Sequence, residues 1–222
     1  MPRYLPVALN LEGRPVLVVG AGAVGTQKVL DFLACGAVIT VVSPVASEAV
    51  RREAAAGRVR WLERRYQPGD ADGQFFVMVA TDDPEANAAI YGEASARGQL
   101  VNVCDDPEHC SVIFASKIER GPLTVSIFTH GSSPALSKRV RRELERVLGP
   151  EYAELAEWLA EIRPRVRALP GLTQPQRQRI YERLVYSEAL FLFAEGDRAG
   201  AMRLLEAILA EETSRAHREQ RS

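Results

Sequence analysis

The residues of this chain best suited to chemistry fall in a few short segments. Gly20-Ala21-Gly22-Ala23-Val24-Gly25 is a GxGxxG run that directly follows an apolar stretch and opens a helical one. In that setting each glycine has its own task. The first permits a tight turn, the second lets backbone approach a pyrophosphate, and the third lets helix and strand pack closely while the helix N-terminus faces the anion. The run predicts dinucleotide binding by Gly20, Gly22, Ala23, Val24 and Gly25; the competing reading is a tight strand-to-helix turn with no ligand. The end of the next apolar strand carries Ser43 where an Asp or Glu usually holds the adenosine ribose. Ser43, Pro44 and Val45 are assigned to the adenosine side of the site. Arg51 and Arg52 read more economically as a solvated helix face than as ligands of a 2′-phosphate.

Two further segments stand at the ends of apolar runs, on the edge where open α/β sheets bind ligands: Ala80-Thr81-Asp82-Asp83 and Asn102-Val103-Cys104-Asp105-Asp106. Thr81, Asn102 and Val103 are expected at the cofactor, with Asp82 near the site, while Asp83 caps the helix that Pro84 starts. On an extended segment successive side chains point to opposite faces, so at most one of Asp105 and Asp106 should face a bound nicotinamide. A turn-forming role for both ahead of Pro107 is the alternative. Cys104, His109, Cys110 and His130 match no common zinc spacing, and no metal site is assigned. Lys138, Arg139, Arg141, Arg142 and Arg146 outnumber Glu143 and Glu145 on one predicted helix. A solvated face accounts for them, yet arginine forks would also bind a substrate with many carboxylates.

The elements that must hold these residues follow from periodicity. Short apolar runs at Pro15 to Val19, Ala37 to Val42, Val59 to Leu62, Phe75 to Ala80 and Leu100 to Val103 predict a parallel sheet covered by helices. One helix is expected over Gly25 to Cys35 and another from Pro84 to just before Gly98. After Asp106 the pattern changes to a hairpin, Ser111 to Ile118 and Leu123 to Phe128, joined by Glu119-Arg120-Gly121-Pro122. Ser133-Pro134 caps a helix reaching about Leu148, and three more are expected at Glu151 to Ala168, Pro175 to Glu195 and Arg198 to Ser214. The fold class is α/β: a Rossmann-type nucleotide domain (1–110), a hairpin-and-helix region (111–149) and a small helical C-terminal domain (150–222).

Composition limits what such a molecule does. The 222 residues are 46% hydrophobic and 26% charged, ordinary for a globular protein. With 28 Lys+Arg against 29 Asp+Glu the net charge is -1, so no global field recruits nucleic acid or a membrane surface. Neither a leader-like apolar run at the N-terminus nor a run long enough to span a bilayer is present in these residues, and a cytoplasmic protein is expected. Three cysteines without CxxC spacing suggest reduced thiols.

The ordered set of Tyr4-Leu5-Pro6, Gly20 to Gly25 with Lys28, Thr40-Val41-Val42-Ser43-Pro44, Ala80-Thr81-Asp82-Asp83, Asn102-Val103-Cys104-Asp105 and Gly131-Ser132-Ser133-Pro134-Ala135-Leu136 resembles the dehydrogenase and chelatase module of siroheme synthase, the precorrin-2 dehydrogenase / sirohydrochlorin ferrochelatase family. The segment from Asn102 through Ser116, followed by Ser132-Ser133-Pro134, is the most specific part. The resemblance implies NAD as cofactor, precorrin-2 as substrate, sirohydrochlorin as product, a homodimer built on the hairpin-and-helix region, and a substrate cleft between domains. It implies that Asp105 is the catalytic carboxylate, as general base or as orienting group, and that Thr129, Ser132, Ser133 and Lys138 lie near the substrate. Thr129 stands where some relatives have serine. Some family members also insert ferrous iron, for which His109 and His130 are candidates. The chain is expected to lack the methyltransferase domain of larger siroheme synthases. Two other classes fit the glycine motif: an NAD-binding sensor domain of a transport system, and an NAD-dependent oxidoreductase of a small metabolite. The ribose acid missing at Ser43 argues against the first, and the basic helix after Pro134 against the second.

Overall fold

The computed structural model describes residues 4–219. Its first part alternates strands and helices: β1 (Pro15–Ala21), α1 (Ala23–Ala34), β2 (Val38–Ala46), α2 (Glu48–Ala55), β3 (Val59–Leu62), β4 (Phe76–Val79), α3 (Pro84–Ala96) and β5 (Leu100–Val103). The strands form one parallel sheet in the order β3-β2-β1-β4-β5. The chain winds outward from β1 to β3, then returns to place β4 on the other side of β1. A crevice therefore opens beyond the carboxyl ends of β1 and β4.

Strand periodicity explains why both faces of this sheet are apolar. Val16 and Val18 pack with Ile39, Val41, Phe76 and Met78 on one face. Leu17 and Val19 pack with Val77, Val79, Val101 and Val103 on the other. The register is also informative. Val19 stands beside Val42 and Val79, and Val79 beside Val103. Gly20, Ser43, Ala80 and Cys104 therefore follow in one row; β4 and β5 end there, while β1 and β2 run on across a register shift to Ala21 and Ala46.

The second part contains the antiparallel pair β6 (Ser116–Arg120) and β7 (Leu123–Ile127), followed by α4 (Pro134–Glu145), α5 (Glu151–Ala168), α6 (Gln174–Val185), α7 (Ala189–Ala194) and α8 (Arg198–Glu219). Leu155, Trp158, Ile162, Ile180, Leu184 and Leu205 make its core. Residues up to Phe114 form one compact unit and those from Ala115 onward another, so the hairpin and α4 belong with the C-terminal helices.

Among the differences from the sequence expectation, β2 runs on past Val42 to Ala46 and α4 ends at Glu145 rather than near Leu148. The first hairpin strand starts at Ser116 rather than Ser111, because the Ser111 and Val112 amides both donate to the Val101 carbonyl and draw that segment back onto β5. The helix expected from Pro175 to Glu195 is two helices. Between them the Ser187 hydroxyl donates to the Leu184 carbonyl at 2.7 Å, a local bond of the kind that competes with helix continuation. The last helix runs on to Glu219, where the Glu219 carboxylate accepts from Arg179 and Arg215.

Glu212 of α8 is fully buried in the helical unit, with Arg183 at 2.8 Å and Arg179 at 2.9 Å. Burial pushes its carboxyl upward, but the hydrogen bonds and charges of Arg183 and Arg179 outweigh that and hold it below the ordinary carboxylate range. A depressed value in the folded state means that the pair stabilises above the unfolded-state value and is lost as pH falls through the folded-state one. Glu212→Gln should therefore cost about 2 kcal/mol near neutrality. Urea unfolding across pH should show the gap between wild type and variant closing on the acid side.

Candidate functional site

The turn from β1 to α1 is shaped by absent atoms. A Cβ on Gly20 would lie 2.2 Å from the Ala80 carbonyl oxygen, and one on Gly25 would lie 2.0 Å from the Gly20 carbonyl oxygen. Gly20 has φ +92°, a conformation open to glycine and strained for other residues. Only with these two side chains missing can β1, α1 and the end of β4 approach so closely. Gly22 is different, because a Cβ there would meet nothing within 4 Å. The space beside it is open, and Gly22 caps α1 without any side-chain hydrogen bond to the first amides. The first turn of α1 contains no acidic residue. Free amides, the positive helix end and an unfilled approach at Gly22 fit a dinucleotide pyrophosphate.

The remaining cofactor candidates divide into groups that face outward and groups spent inside the protein. Ser43 is buried. Its hydroxyl accepts from the Ala21 amide at 3.2 Å and donates to the Val45 carbonyl at 2.6 Å, so it braces the ends of β1 and β2 and does not replace the missing ribose acid. Pro44 and Val45 are exposed beside it. Arg51 lies over the Trp61 ring, whose indole N–H donates to the Ser43 carbonyl. Asn102 is likewise buried, its amide donating to the Val112 carbonyl at 2.9 Å, and Val103 is buried in the core. Both side chains are committed to the interior at this edge. Thr81 is paired with Asn87 through its hydroxyl and carbonyl, which fixes the turn after β4 against α3. Asp83 caps α3 by accepting from the Ala86 amide at 3.1 Å.

After β5 the backbone is a turn and not an extended segment, so the alternating-face argument for the two aspartates does not apply. Asp105 has φ +58°, in the left-handed region that a non-glycine residue rarely occupies. Its side chain is exposed and makes no hydrogen bond or ion pair among the described residues. Asp106 is committed instead to His109, with Oδ2 at 2.6 Å from Nδ1. That hydrogen bond, and then the imidazole's charge, hold the Asp106 carboxyl below its ordinary range. The Tyr91 ring meets His109 edge-on at 4.7 Å. Sequence reasoning missed this pair; its signal is an Asp-x-x-His spacing across the short 3-10 turn Pro107–His109.

Cys110 also faces inward. Its Sγ accepts from the Val103 amide and donates toward the Asp106 carbonyl at 3.1 Å, and burial pushes the thiol's titration upward. Burial and the neighbouring Asp105 charge do the same for Cys104. Neither thiol is activated. Among the described residues no cluster of His, Cys, Asp and Glu forms a metal site.

In the second unit, the Thr129 hydroxyl donates to the Ser133 carbonyl at 3.2 Å and meets the Ser137 hydroxyl at 3.1 Å. Ser132 donates to the Thr129 carbonyl, and Ser133 caps α4 by accepting from the Leu136 amide. These hydroxyls build the turn ahead of α4, with His130 and Gly131 both at positive φ. Lys138 is exposed on α4.

Comparison with known proteins matches this order of parts. An NAD(P)-binding family model covers residues 7–116, a sirohaem biosynthesis central model residues 120–146, and a sirohaem synthase dimerisation model residues 151–209. The dimerisation model thus falls on the helices after α4 and not on the hairpin. Siroheme synthase 1 of Aeromonas salmonicida is 36% identical over 95% of the chain, and that of Pectobacterium atrosepticum 37% identical over 87%. The chain spans less than half of these relatives, 45% and 40% of their lengths. A solved structure of SirC, precorrin-2 dehydrogenase, is matched over 92% of this chain and 100% of its own, with a TM-score of 0.78 and 27% identity.

The two kinds of glycine predict opposite phenotypes. Gly22→Asp should fold with an unchanged melting curve and lose NAD binding in a fluorescence titration, since a carboxylate would occupy the pyrophosphate approach. Gly25→Ala should instead lower stability by about 1–3 kcal/mol, because its methyl group collides with backbone. Unchanged NAD affinity in Gly22→Asp would reduce the motif to a structural turn.

Proposed function

This chain belongs to the precorrin-2 dehydrogenase family, the dehydrogenase module of siroheme synthase, and from that premise we propose that it oxidises precorrin-2 to sirohydrochlorin in siroheme biosynthesis. The observation that carries the reading is the sheet register, in which Val19, Val79 and Val103 stand side by side at the carboxyl edge. It places the open Gly22 turn and the exposed, unpaired Asp105 on the same edge of one sheet.

The reaction removes a hydride and a proton from the tetrapyrrole. NAD held at the glycine turn supplies the hydride acceptor. The Gly22 backbone and the α1 amides would hold its pyrophosphate, and the exposed Pro44 and Val45 would border its adenosine side. Asp105 is assigned to the proton on the family resemblance; like Asp82 it is exposed and without a hydrogen bond or ion pair among the described residues, while Asp106 is held by His109. A carboxylate so placed acts as general base, or orients the macrocycle through its pyrrole N–H groups. Neighbouring Ser43, Asn102 and Thr81 position this edge through their internal hydrogen bonds.

The nucleotide segment 1–110 holds the cofactor, and 111–149 presents substrate-facing groups through the turn at Thr129, Ser132 and Ser133 and through Lys138. The segment 150–222 contributes to a homodimer, which the matched dimerisation model supports. Ferrous iron is a further substrate only if the molecule chelates, and His109 would then be the nearest imidazole in sequence to Asp105. No described helix is long and apolar enough to cross a membrane, in keeping with a cytoplasmic setting.

Anaerobically prepared precorrin-2 mixed with NAD and protein should yield sirohydrochlorin by absorbance; folded, NAD-binding protein that yields none would refute the dehydrogenase. NAD should be preferred to NADP by a modest factor in kcat/KM, since no acid at Ser43 repels a 2′-phosphate. A clear NADP preference would direct attention to Arg51 and Arg52.

Asp105→Asn should lower turnover by about 100-fold with NAD affinity unchanged if the carboxylate is the base. A smaller effect confined to KM would assign it to orientation. Asp106→Asn is the control, expected to retain most turnover.

A further inference from the structure

Cys110 carries a half-buried thiol that the proposed reaction does not use, and its contacts converge on the turn that presents Asp105. β5 is the last strand of its sheet, so alternate amides along it face away from β4 and need partners elsewhere. The segment after the 3-10 turn supplies them. The Ser111 hydroxyl accepts from the Val101 amide at 2.8 Å, and Cys110 Sγ accepts from the Val103 amide at 3.2 Å. The same sulfur lies 3.1 Å from the Asp106 carbonyl oxygen, to which it donates. Burial pushes the titration of this thiol upward, so the S–H donor persists at neutral pH. One atom thus grips the chain just before and just after Cys104-Asp105.

Between the two gripped residues the chain makes a tight turn, closed by the Asp106 amide donating to the Val103 carbonyl at 3.3 Å. Of its two central residues only Asp105 has positive φ. That is the pattern of a type II turn, whose third position is ordinarily glycine. A residue with a Cβ stays there only when its surroundings hold it. Asp106 is held at each of its polar groups: its amide by Val103, its carbonyl by the His109 amide at 3.2 Å and by Cys110, and its carboxylate by His109 Nδ1 at 2.6 Å.

We propose that Cys110 is a positioning residue: by bridging the Val103 amide and the Asp106 carbonyl, its thiol holds Asp105 in the left-handed conformation and so fixes the direction of its carboxylate. The catalytic consequence rests on the dehydrogenase reading; the conformational one does not. The Asp106–His109 pair is a second hold on the same turn. Asp106→Asn leaves an acceptor for the His109 Nδ1–H, in keeping with the turnover that variant should retain. A thiol that only satisfied an edge amide would matter to stability and not to Asp105.

At a positive φ glycine is favoured over alanine, and at an ordinary φ alanine is favoured over glycine, so this pair of substitutions at position 105 reports the sign of φ. The midpoint of urea unfolding should be higher for Asp105→Gly than for Asp105→Ala, and combined with Cys110→Ala that order should reverse. Cys110→Ser keeps a group that both accepts and donates, and should preserve the original order. The same order with and without Cys110→Ala overturns the proposal, whatever the protein catalyses. A higher midpoint for Asp105→Ala with Cys110 in place overturns it as well.

With precorrin-2 and NAD, Cys110→Ala should lower kcat by about tenfold, the effect of a mis-aimed group, with KM and NAD affinity unchanged. Cys110→Ser should restore most of the loss. Combined with Asp105→Asn, Cys110→Ala should add little, because a residue that acts through the Asp105 carboxylate then has nothing left to aim. A kcat loss that multiplies with that of Asp105→Asn, or a loss of stability with kcat intact, reduces Cys110 to a cap on the edge of β5 and overturns the proposal. Folded, NAD-binding protein that oxidises no precorrin-2 removes the dehydrogenase reading, and the order of Gly and Ala at position 105 then upholds or overturns the hold by itself.

Discussion

The whole nucleotide unit depends on two side chains that are not there. The missing Cβ of Gly20 admits the Ala80 carbonyl, and the missing Cβ of Gly25 admits the Gly20 carbonyl. The first close approach ties the end of β4 to the end of β1, and the second seats the first turn of α1 on that junction. Topology alone would leave a crevice between β1 and β4; these contacts set its depth and aim free helix amides across it. The apolar strands behind the junction are buried on both faces, so it rests on a rigid base rather than on a mobile loop.

A second constraint decides which polar residues remain for ligands. Beside a buried sheet, a hydroxyl or amide must be hydrogen-bonded or it costs stability. Ser43 answers Ala21 and Val45, Asn102 answers Val112, and Thr81 answers Asn87. Each stands where an open α/β sheet places ligand contacts, yet each is spent on holding neighbouring turns together. The sheet edge therefore offers a ligand mainly backbone and open space, with Asp82 and Asp105 as exposed carboxylates. The same economy operates ahead of α4, where Thr129, Ser132 and Ser133 close a turn with their own hydroxyls.

This economy explains what was readable from residues alone. The strands and the glycine turn were legible because their causes are local: apolar runs, a fingerprint with one stereochemical solution, and Pro84 and Pro134 at helix starts. The inward commitment of the Ser43 and Asn102 side chains was not legible, because it depends on partners twenty-two and ten residues away, which periodicity does not encode. The alternating-face rule failed at Asp105 because the strand had already ended at Val103 and the backbone turned left-handed. The break between α6 and α7 escaped notice for a related reason. Tyr186-Ser187-Glu188 contains no Gly or Pro, and only the hydroxyl of Ser187 gives the interruption away.

Asp105 also bears on the choice between enzyme and sensor. A left-handed conformation at a residue with a Cβ costs on the order of 1–2 kcal/mol, although Asp tolerates it better than most. Glycine would remove the cost, and eleven glycines of this chain do occupy positive φ. A sensor that needs only the bound dinucleotide gives no reason for retaining a strained, exposed carboxylate two strands away from the glycine turn. The proposed proton removal beside a hydride acceptor would give one, and the neighbouring Asp106 is tethered to His109.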